Sequence, residues 1–417
     1  MKKLVTFSFA LLSFWGYAQT ATVPAAAPAE KEWDVSMYGF LRTDYIWDTR
    51  KSSQVRENNL NLYPLDELLD ANGKDLNATG ASNFLAIMSR LGVKVKGPNV
   101  WGAKMSGTLE GDFFGNTESS IGLMRLRHAY VTMDWEKTSL TMGQTWYPSF
   151  IPEVFPGVAN FNTGILFNPF GWATQVRLKQ NLSKQVSFAL TAYKEREFPT
   201  PTATTGVQNG AAMNSALPTL HGQFQFKNKN WIAGIGGEFK SLQPLTVSNG
   251  LASSEKVNST SFLGYFKYSN DKFSVKAYGI TGQNLNNMVM LGGFAGYTTA
   301  GQVEKYEASK TTSFWLDIAS NGKKVAPGLF IGQTSNGGTG KTGATAFYMR
   351  GVSGTRVVDN VWRVSGRIDF KQNKFRVTPE IEYTAATWGD LKSDGSASGN
   401  SKNVGNLRAM VSCVYAF

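Results

Sequence analysis

The chain of 417 residues has a single cysteine, Cys413, so no intrachain disulfide framework is available and the fold must hold itself together. Histidine is almost as scarce: His128 and His221 are the only two, and nothing near either has metal-ligand spacing. Beyond the N-terminus there is no long uncharged apolar run, which excludes a helical membrane span in the mature chain. The remaining choice is a soluble exported protein or a membrane β-barrel. Acidic residues are also short, with 30 Asp and Glu against 42 Lys and Arg, a formal charge of +12. An exported basic protein meets nucleic acid, anionic lipid surfaces or anionic solutes.

What is present begins with "MKKLVTFSFALLSFWGYAQTA". Lys2 and Lys3 precede an apolar stretch from Leu4 to about Trp15, with small or neutral residues around Ala18, which is the form of a secretory signal. Residues 1–18 are expected to be this signal, leaving Gln19 first and removing two of the positive charges (12 − 2 = +10). Residues 19–33, with their Ala/Pro run, form a low-complexity stub. From 34 to 417 one theme repeats: about ten alternating residues, a connection, and another alternating segment. Aromatic residues at 13% and 43 glycines suit many short strands with turns.

Strands are expected near 34–48, 83–96, 101–115, 121–134, 139–147, 171–180, 185–194, 218–227, 231–242, 258–268, 272–283, 311–319, 324–334, 358–370, 373–387 and 404–417, about sixteen in all. Their connections alternate between short turns ("KGPNVW", "WEKTS", "NLSK", "KNKN", "SNDK", "NGKK", "KQN") and long loops. Short turns at one end and long loops at the other describe an all-β, up-and-down transmembrane barrel, with both termini on the periplasmic, short-turn side. Facing agrees. In "VWRVSGRIDF" the apolar Trp362, Val364, Ile368 and Phe370 alternate with Arg363, Ser365, Arg367 and Asp369. Turning an arginine to mid-membrane lipid costs about 2–4 kcal/mol, so reversing such a strand is strongly disfavoured. The terminal segment "NLRAMVSCVYAF" puts Leu407, Ala409, Val411, Cys413, Tyr415 and Phe417 on one face, with Tyr415 and Phe417 as aromatic anchors at the periplasmic lipid boundary.

"MYGFLRTDYIWD" at the first strand, "LRLRHAYVTMDW" followed by "LTMGQTWYPSF", and the final aromatic of "VSCVYAF" resemble the trimeric DcaP-like outer-membrane porins of Gram-negative bacteria, from about residue 34 to 417. The resemblance implies a sixteen-stranded homotrimer passing small hydrophilic solutes, preferably anions such as dicarboxylates. It further implies contact with outer-membrane lipid and lipopolysaccharide, recognition of the C-terminal strand by the barrel-assembly machinery, and no cofactor, nucleic acid or catalysis. A helical coiled segment found before the barrel in some members has only the Ala/Pro stub in its place here. An outer-membrane barrel enzyme acting on lipid, and a surface adhesin or structural barrel, are the alternatives.

With the polar face of each strand turned inward, the lumen receives Arg42, Arg90, Lys94, Lys104, Arg125, Arg127, Arg177, Lys179, Lys276, Arg363, Arg367, Arg376 and Arg408. Against them stand Asp44, Glu110, Asp112, Asp317, Asp369, Glu380 and Glu382. Rings of Arg and Lys select anions, and Arg125 with Arg127, two apart on one strand, would form a basic ladder. The bland alternative is that these charges pair with one another. The loop "PSFIPEVFPGVANFNTGILFNPFG", with Phe150, Phe155, Phe161, Phe167 and Phe170, is too apolar to lie in water; it is expected to fold into the barrel mouth and narrow it, or else to pack on a neighbouring subunit. "YPLDELLDANG" suggests one short helix ending at Gly73. "SNGGTGKTG" lacks the first glycine of a phosphate-binding loop, Ser335 standing in its place, and reads as an outward Gly-rich loop. His128, adjacent to Arg127, should face away from the arginines toward lipid or a subunit interface, and His221, beside Gln223 and Gln225, should be a wall residue.

Overall fold

The structure is a computed structural model, and it describes residues 33–160, 164–201 and 210–417. The signal, all of the stub except Trp33, and Phe161 lie outside the described residues. The barrel strands are β1 (Asp34–Asp48), β2 (in two pieces, Ala81–Leu85 and Arg90–Val100), β3 (Ala103–Asp112), β4 (Arg125–Asp134), β5 (Thr138–Trp146), β6 (Trp172–Asn181), β7 (Val186–Lys194) and β8 (Thr219–Lys227). They continue with β9 (Trp231–Leu242), β10 (Val257–Ser269), β11 (Phe273–Gln283), β12 (Lys310–Ser320), β13 (Val325–Asn336), β14 (Arg356–Gln372), β15 (Phe375–Leu391) and β16 (Ala397–Ala416). Each pairs antiparallel with its sequence neighbours, and β16 pairs back onto β1 from Phe40↔Ala416 to Asp48↔Arg408. The sheet is a closed sixteen-stranded antiparallel barrel, and closure leaves no strand edge unpaired.

Period-two alternation puts apolar side chains outside. On β1, Val35, Met37, Leu41, Tyr45 and Trp47 are exposed on the barrel exterior while Asp44, Ile46 and Asp48 are buried within. The exterior apolar band is stable only against hydrocarbon, since leaving each such side chain in water forfeits about 1.5–3 kcal/mol. Inside, the wall is mixed: β9–β13 turn Ile232, Leu263, Tyr265, Tyr278, Trp315 and Phe330 inward and bury them, while most of the buried charged residues lie on the other strands.

Three departures from the expected elements have local causes. Strand β2 breaks at 86–89, where the Ser89 hydroxyl accepts a hydrogen bond from the backbone N–H of Arg42 at 3.1 Å. Strands β15 and β16 run on together past the barrel rim to Leu391↔Ala397, so β16 begins earlier than expected. The helix expected before Gly73 is absent: Asp70 accepts from the backbone N–H groups of Asn72 (2.8 Å) and Lys74 (2.9 Å), and Asp75 from Leu68 (3.1 Å) and Asn77 (2.9 Å). Aspartate side chains here take the donors a helix would have used, and a tight turn results.

Candidate functional site

The described residues between β5 and β6, 147–160 and 164–171, fold into the barrel. At the base of this loop the Tyr147 N–H donates to the Gly171 carbonyl at 3.0 Å. Several contacts reach the opposite wall. Tyr278 Oη donates to the Ser149 carbonyl (2.8 Å), Trp315 Nε1 to Asn168 Oδ1 (3.0 Å), Ser313 Oγ to the Phe167 carbonyl (3.0 Å) and Lys276 Nζ to the Phe155 carbonyl (3.0 Å). On β15, Glu380 accepts from the N–H groups of Ala159 (2.9 Å) and Asn160 (3.0 Å). The loop therefore crosses the lumen from β5–β6 to β11–β15. Phe150, Val154, Phe167 and Phe170 are buried in one cluster, joined by Leu60 and Leu62 of the loop after β1 and by Met288 and Leu291 of the loop after β11, while Phe155 packs half-buried against it. Phe150 stacks on Trp146 with ring centroids 4.1 Å apart. Burial of this apolar surface is what draws the loop in from water.

The inward arginines divide into two populations. Arg125 binds both oxygens of Asp112 (2.7 and 3.2 Å) and reaches Glu197 at 2.7 Å; Arg127 binds Glu110 (2.8 Å) and Asp112 (3.1 Å). Their side chains are 1% exposed, and Trp172 stacks against both. Arg90 lies 3.5 Å from Glu110, so three guanidinium groups face three carboxylates in a neutral block. Arg363 donates to Thr384, to the Ile165 carbonyl and to the Asn61 carbonyl; Arg367 pairs with Asp317 at 2.9 Å; Arg408 binds Asp48 through two nitrogens at 2.9 Å. Arg42 holds Asp44 and donates to the Ala159 carbonyl at 2.7 Å. Arg376 sits 4.0 Å from Asp369 at the short-turn end. Apart from Asp44, two residues from Arg42 on the same strand, these partners lie on other strands or loops, so the sequence did not show them as partners.

Five basic groups of the expected lumen set have no carboxylate within 4 Å among the described residues: Lys94, Lys104, Arg177, Lys179 and Lys276, of which Lys104 is exposed and Lys276 donates to the Phe155 carbonyl. Lys94 lies over the Tyr38 ring at 4.8 Å. Arg177 donates to the Trp146 carbonyl (3.2 Å) and to Gln175 (2.8 Å), and Lys179 is exposed. Arg177 and Lys179 line a crevice of about 160 Å³ between the inward loop and β6–β8, opposite Phe150, Ile151 and Glu153. Lys179, Ser187 and Gln225 also line a larger polar vestibule of about 740 Å³ on the short-turn side, where Lys137 and Lys184 join them against Glu136, and Lys227 is paired with Glu153 of the inward loop.

His128 does not face lipid, as its position next to Arg127 suggested. The register between β3 and β4 slips from Glu110↔His128 to Gly111↔Leu126, so Arg127 is the extra residue of a β-bulge. A bulge breaks the alternation, and Arg127 and His128 both turn inward; His128 is 7% exposed, 3.8 Å from Glu110 and edge-on to Trp146. His221 is a buried wall residue, with Nε2 3.3 Å from Gln223 Oε1 and Nδ1 3.4 Å from Glu238. No cluster of His, Cys, Asp and Glu able to hold a metal occurs among the described residues.

A closed sixteen-stranded antiparallel barrel with an apolar exterior, a charged interior, short turns at one end and a long loop folded into the lumen is an outer-membrane porin. The family model described as DcaP outer membrane protein matches residues 16–297, and the chain belongs to that family and to the bacterial outer membrane. Among solved structures it is similar to the outer membrane channel DcaP of Acinetobacter baumannii (TM-score 0.66, 17% identity, 93% of this chain and 99% of that one). It is also similar to an anion-selective porin from Comamonas acidovorans (TM-score 0.54, 12% identity, 93% and 100%) and to OmpT of Vibrio cholerae (TM-score 0.54, 12% identity, 93% and 98%). No curated protein matches the chain.

Proposed function

We propose that this porin passes small hydrophilic solutes with a preference for anions such as dicarboxylates, without catalysis, and that it works as a homotrimer. One observation carries the preference: Arg177 and Lys179 stand without carboxylate partners beside the inward loop, and Lys137 and Lys184 continue their charge into the vestibule. A water-lined, low-dielectric passage focuses the field of such groups and raises the local anion concentration. A guanidinium beside an ammonium suits a carboxylate pair, the first through two parallel hydrogen bonds and the second as a point charge. The paired arginines act differently: Arg363 and Arg42 tie the loops down and Arg125 and Arg127 brace the wall, so they shape the passage rather than fill it with charge. Two similar structures lend support, since one is of a porin called anion-selective and another is a trimer form of OmpT.

The test is the reversal potential of single channels in a planar bilayer under a salt gradient. Anion preference that falls in Arg177→Gln with Lys179→Gln, with unit conductance retained, supports the assignment. A wild-type channel without anion preference, or one whose preference ignores these two residues, overturns it. Openings in steps of three are expected of the trimer.

A further inference from the structure

On the outer wall, β9–β12 carry a depression rather than a ridge. Gly264 and Gly279 face each other across β10 and β11, flanked in register by Ile235 on one side and Phe314 on the other. A Cβ built on either glycine would meet no atom closer than 3.8 Å, so nothing in the chain forbids a side chain there. With Ala233 and Ala277 beneath, these positions floor an apolar groove of about 900 Å³. Glycine weakens a strand interior and, where it is not required by the backbone, marks the close approach of something else.

What lies below the groove identifies the visitor. The next layer toward the short-turn end is the Trp231↔Tyr268 pair, its rings 4.6 Å apart at the height of a membrane interface. The turns beyond it present Lys229, Lys272, Lys323 and Lys324, all exposed, none with a carboxylate within 4 Å among the described residues, against the single acid Asp271. From Gly264 to these turns is about six residues, which at roughly 3.4 Å each and a tilt near 40° is about 15 Å, half of a ~30 Å hydrocarbon core. A second exterior groove on β2–β5 lacks an unmatched basic collar: its β2–β3 turn carries the exposed Trp101 and no lysine, and in its β4–β5 turn Lys137 stands beside Glu136.

We propose that the β9–β12 wall is a specific seat for one anionic phospholipid of the periplasmic leaflet, its acyl chain lying over Gly264 and Gly279 and its phosphate held by Lys229, Lys272, Lys323 and Lys324. Geometry on both sides of the interface supports it: an apolar slot one leaflet deep and unpaired cations directly beneath. A second copy of the chain is the poorer occupant, because a closed ring with this wall inside would gather the same lysines around its axis.

The experiment is native mass spectrometry of the detergent-purified, heat-modifiable protein titrated with dioleoyl-phosphatidylglycerol or dioleoyl-phosphatidylcholine. Preferential retention of one phosphatidylglycerol per chain is expected. Each paired variant, Lys229→Gln with Lys272→Gln or Lys323→Gln with Lys324→Gln, should weaken it roughly thirtyfold, and Gly264→Leu should weaken retention of the acyl chain whatever the head group. Equal retention of the two lipids, or retention indifferent to all four lysines, overturns the proposal. So does Gly264→Leu dissociating the oligomer in size-exclusion with light scattering, which would make the groove a contact between copies.

Discussion

Replacing Arg363 with methionine keeps most of the side-chain volume and removes one charge from a site where nothing is exposed. In the parent, Nε donates to Thr384 Oγ1 at 2.7 Å, Nη1 to the Ile165 carbonyl at 2.9 Å, and Nη2 to the Asn61 carbonyl at 2.8 Å; Glu382 is 3.3 Å away. Two loops thus hang from one guanidinium: Ile165 belongs to the loop that crosses the lumen, Asn61 to the hairpin of Ser52–Val55 and Leu60–Pro64. Removing one partner of a buried ion pair costs about 3–5 kcal/mol, chiefly because the other charge is left uncompensated. Glu382 is such a residue at 1% exposure, retaining only amide partners in Asn160 and Asn61 and the Thr384 hydroxyl. The expected outcome is a barrel that still inserts, unfolds at lower urea in vesicles by that free energy, and shows larger, noisier unit currents as the loop detaches. Anion preference should change little, since Arg363 reaches no open surface. A variant with parental conductance, noise and urea midpoint would refute the assignment of Arg363 as the tether and return it to the solute path.

Other perturbations separate the same roles. Arg125→Glu with Arg127→Glu would put two more carboxylates beside Glu110, Asp112 and Glu197, and should abolish the heat-modifiable barrel on gels rather than yield a cation-preferring channel. Phe150→Ala removes the ring stacked on Trp146 and lining the crevice beside Arg177; it should cost about 3–5 kcal/mol of stability while raising unit conductance. In the extracellular sheet of Gly292–Tyr297, Lys305–Ala308 and Ala346–Arg350, Tyr306 and Tyr348 both donate to Glu304, at 3.1 and 3.3 Å. Burial, then the Glu304 charge, pushes the Tyr348 hydroxyl up to about 12 and the Tyr306 hydroxyl well above its ordinary 10.0. A raised folded-state value means the contribution to stability is complete below pH about 10 and is lost as pH rises through about 12. Tyrosinate absorbance should therefore rise late, with proteolysis of this sheet following it; ionisation of these tyrosines at 10 would contradict the geometry.

Strand number, the inside and outside of each strand, and the sorting of turns from loops were legible along the chain because the strand period is two and a misplaced arginine is costly in lipid. That same logic placed Arg42, Arg177, Lys179, Arg363 and Arg408 on the inner face, where the structure has them. It failed at His128, since a single extra residue in β4 inverts the alternation and no local sequence feature announces a bulge. It failed again at Gly73, where two aspartates outcompeted a helix for backbone donors.

By itself the sequence determined a closed membrane barrel with a basic interior and a loop too apolar to lie in water. Tertiary structure alone decided which basic groups are free. Whether an arginine is a selecting charge or a structural tether depends on carboxylates and carbonyls brought within 3 Å from residues up to hundreds of positions away, as Arg408 meets Asp48 and Arg363 meets Asn61. Barrel closure and loop insertion set those distances, and an interior ion pair is decided by distance and desolvation.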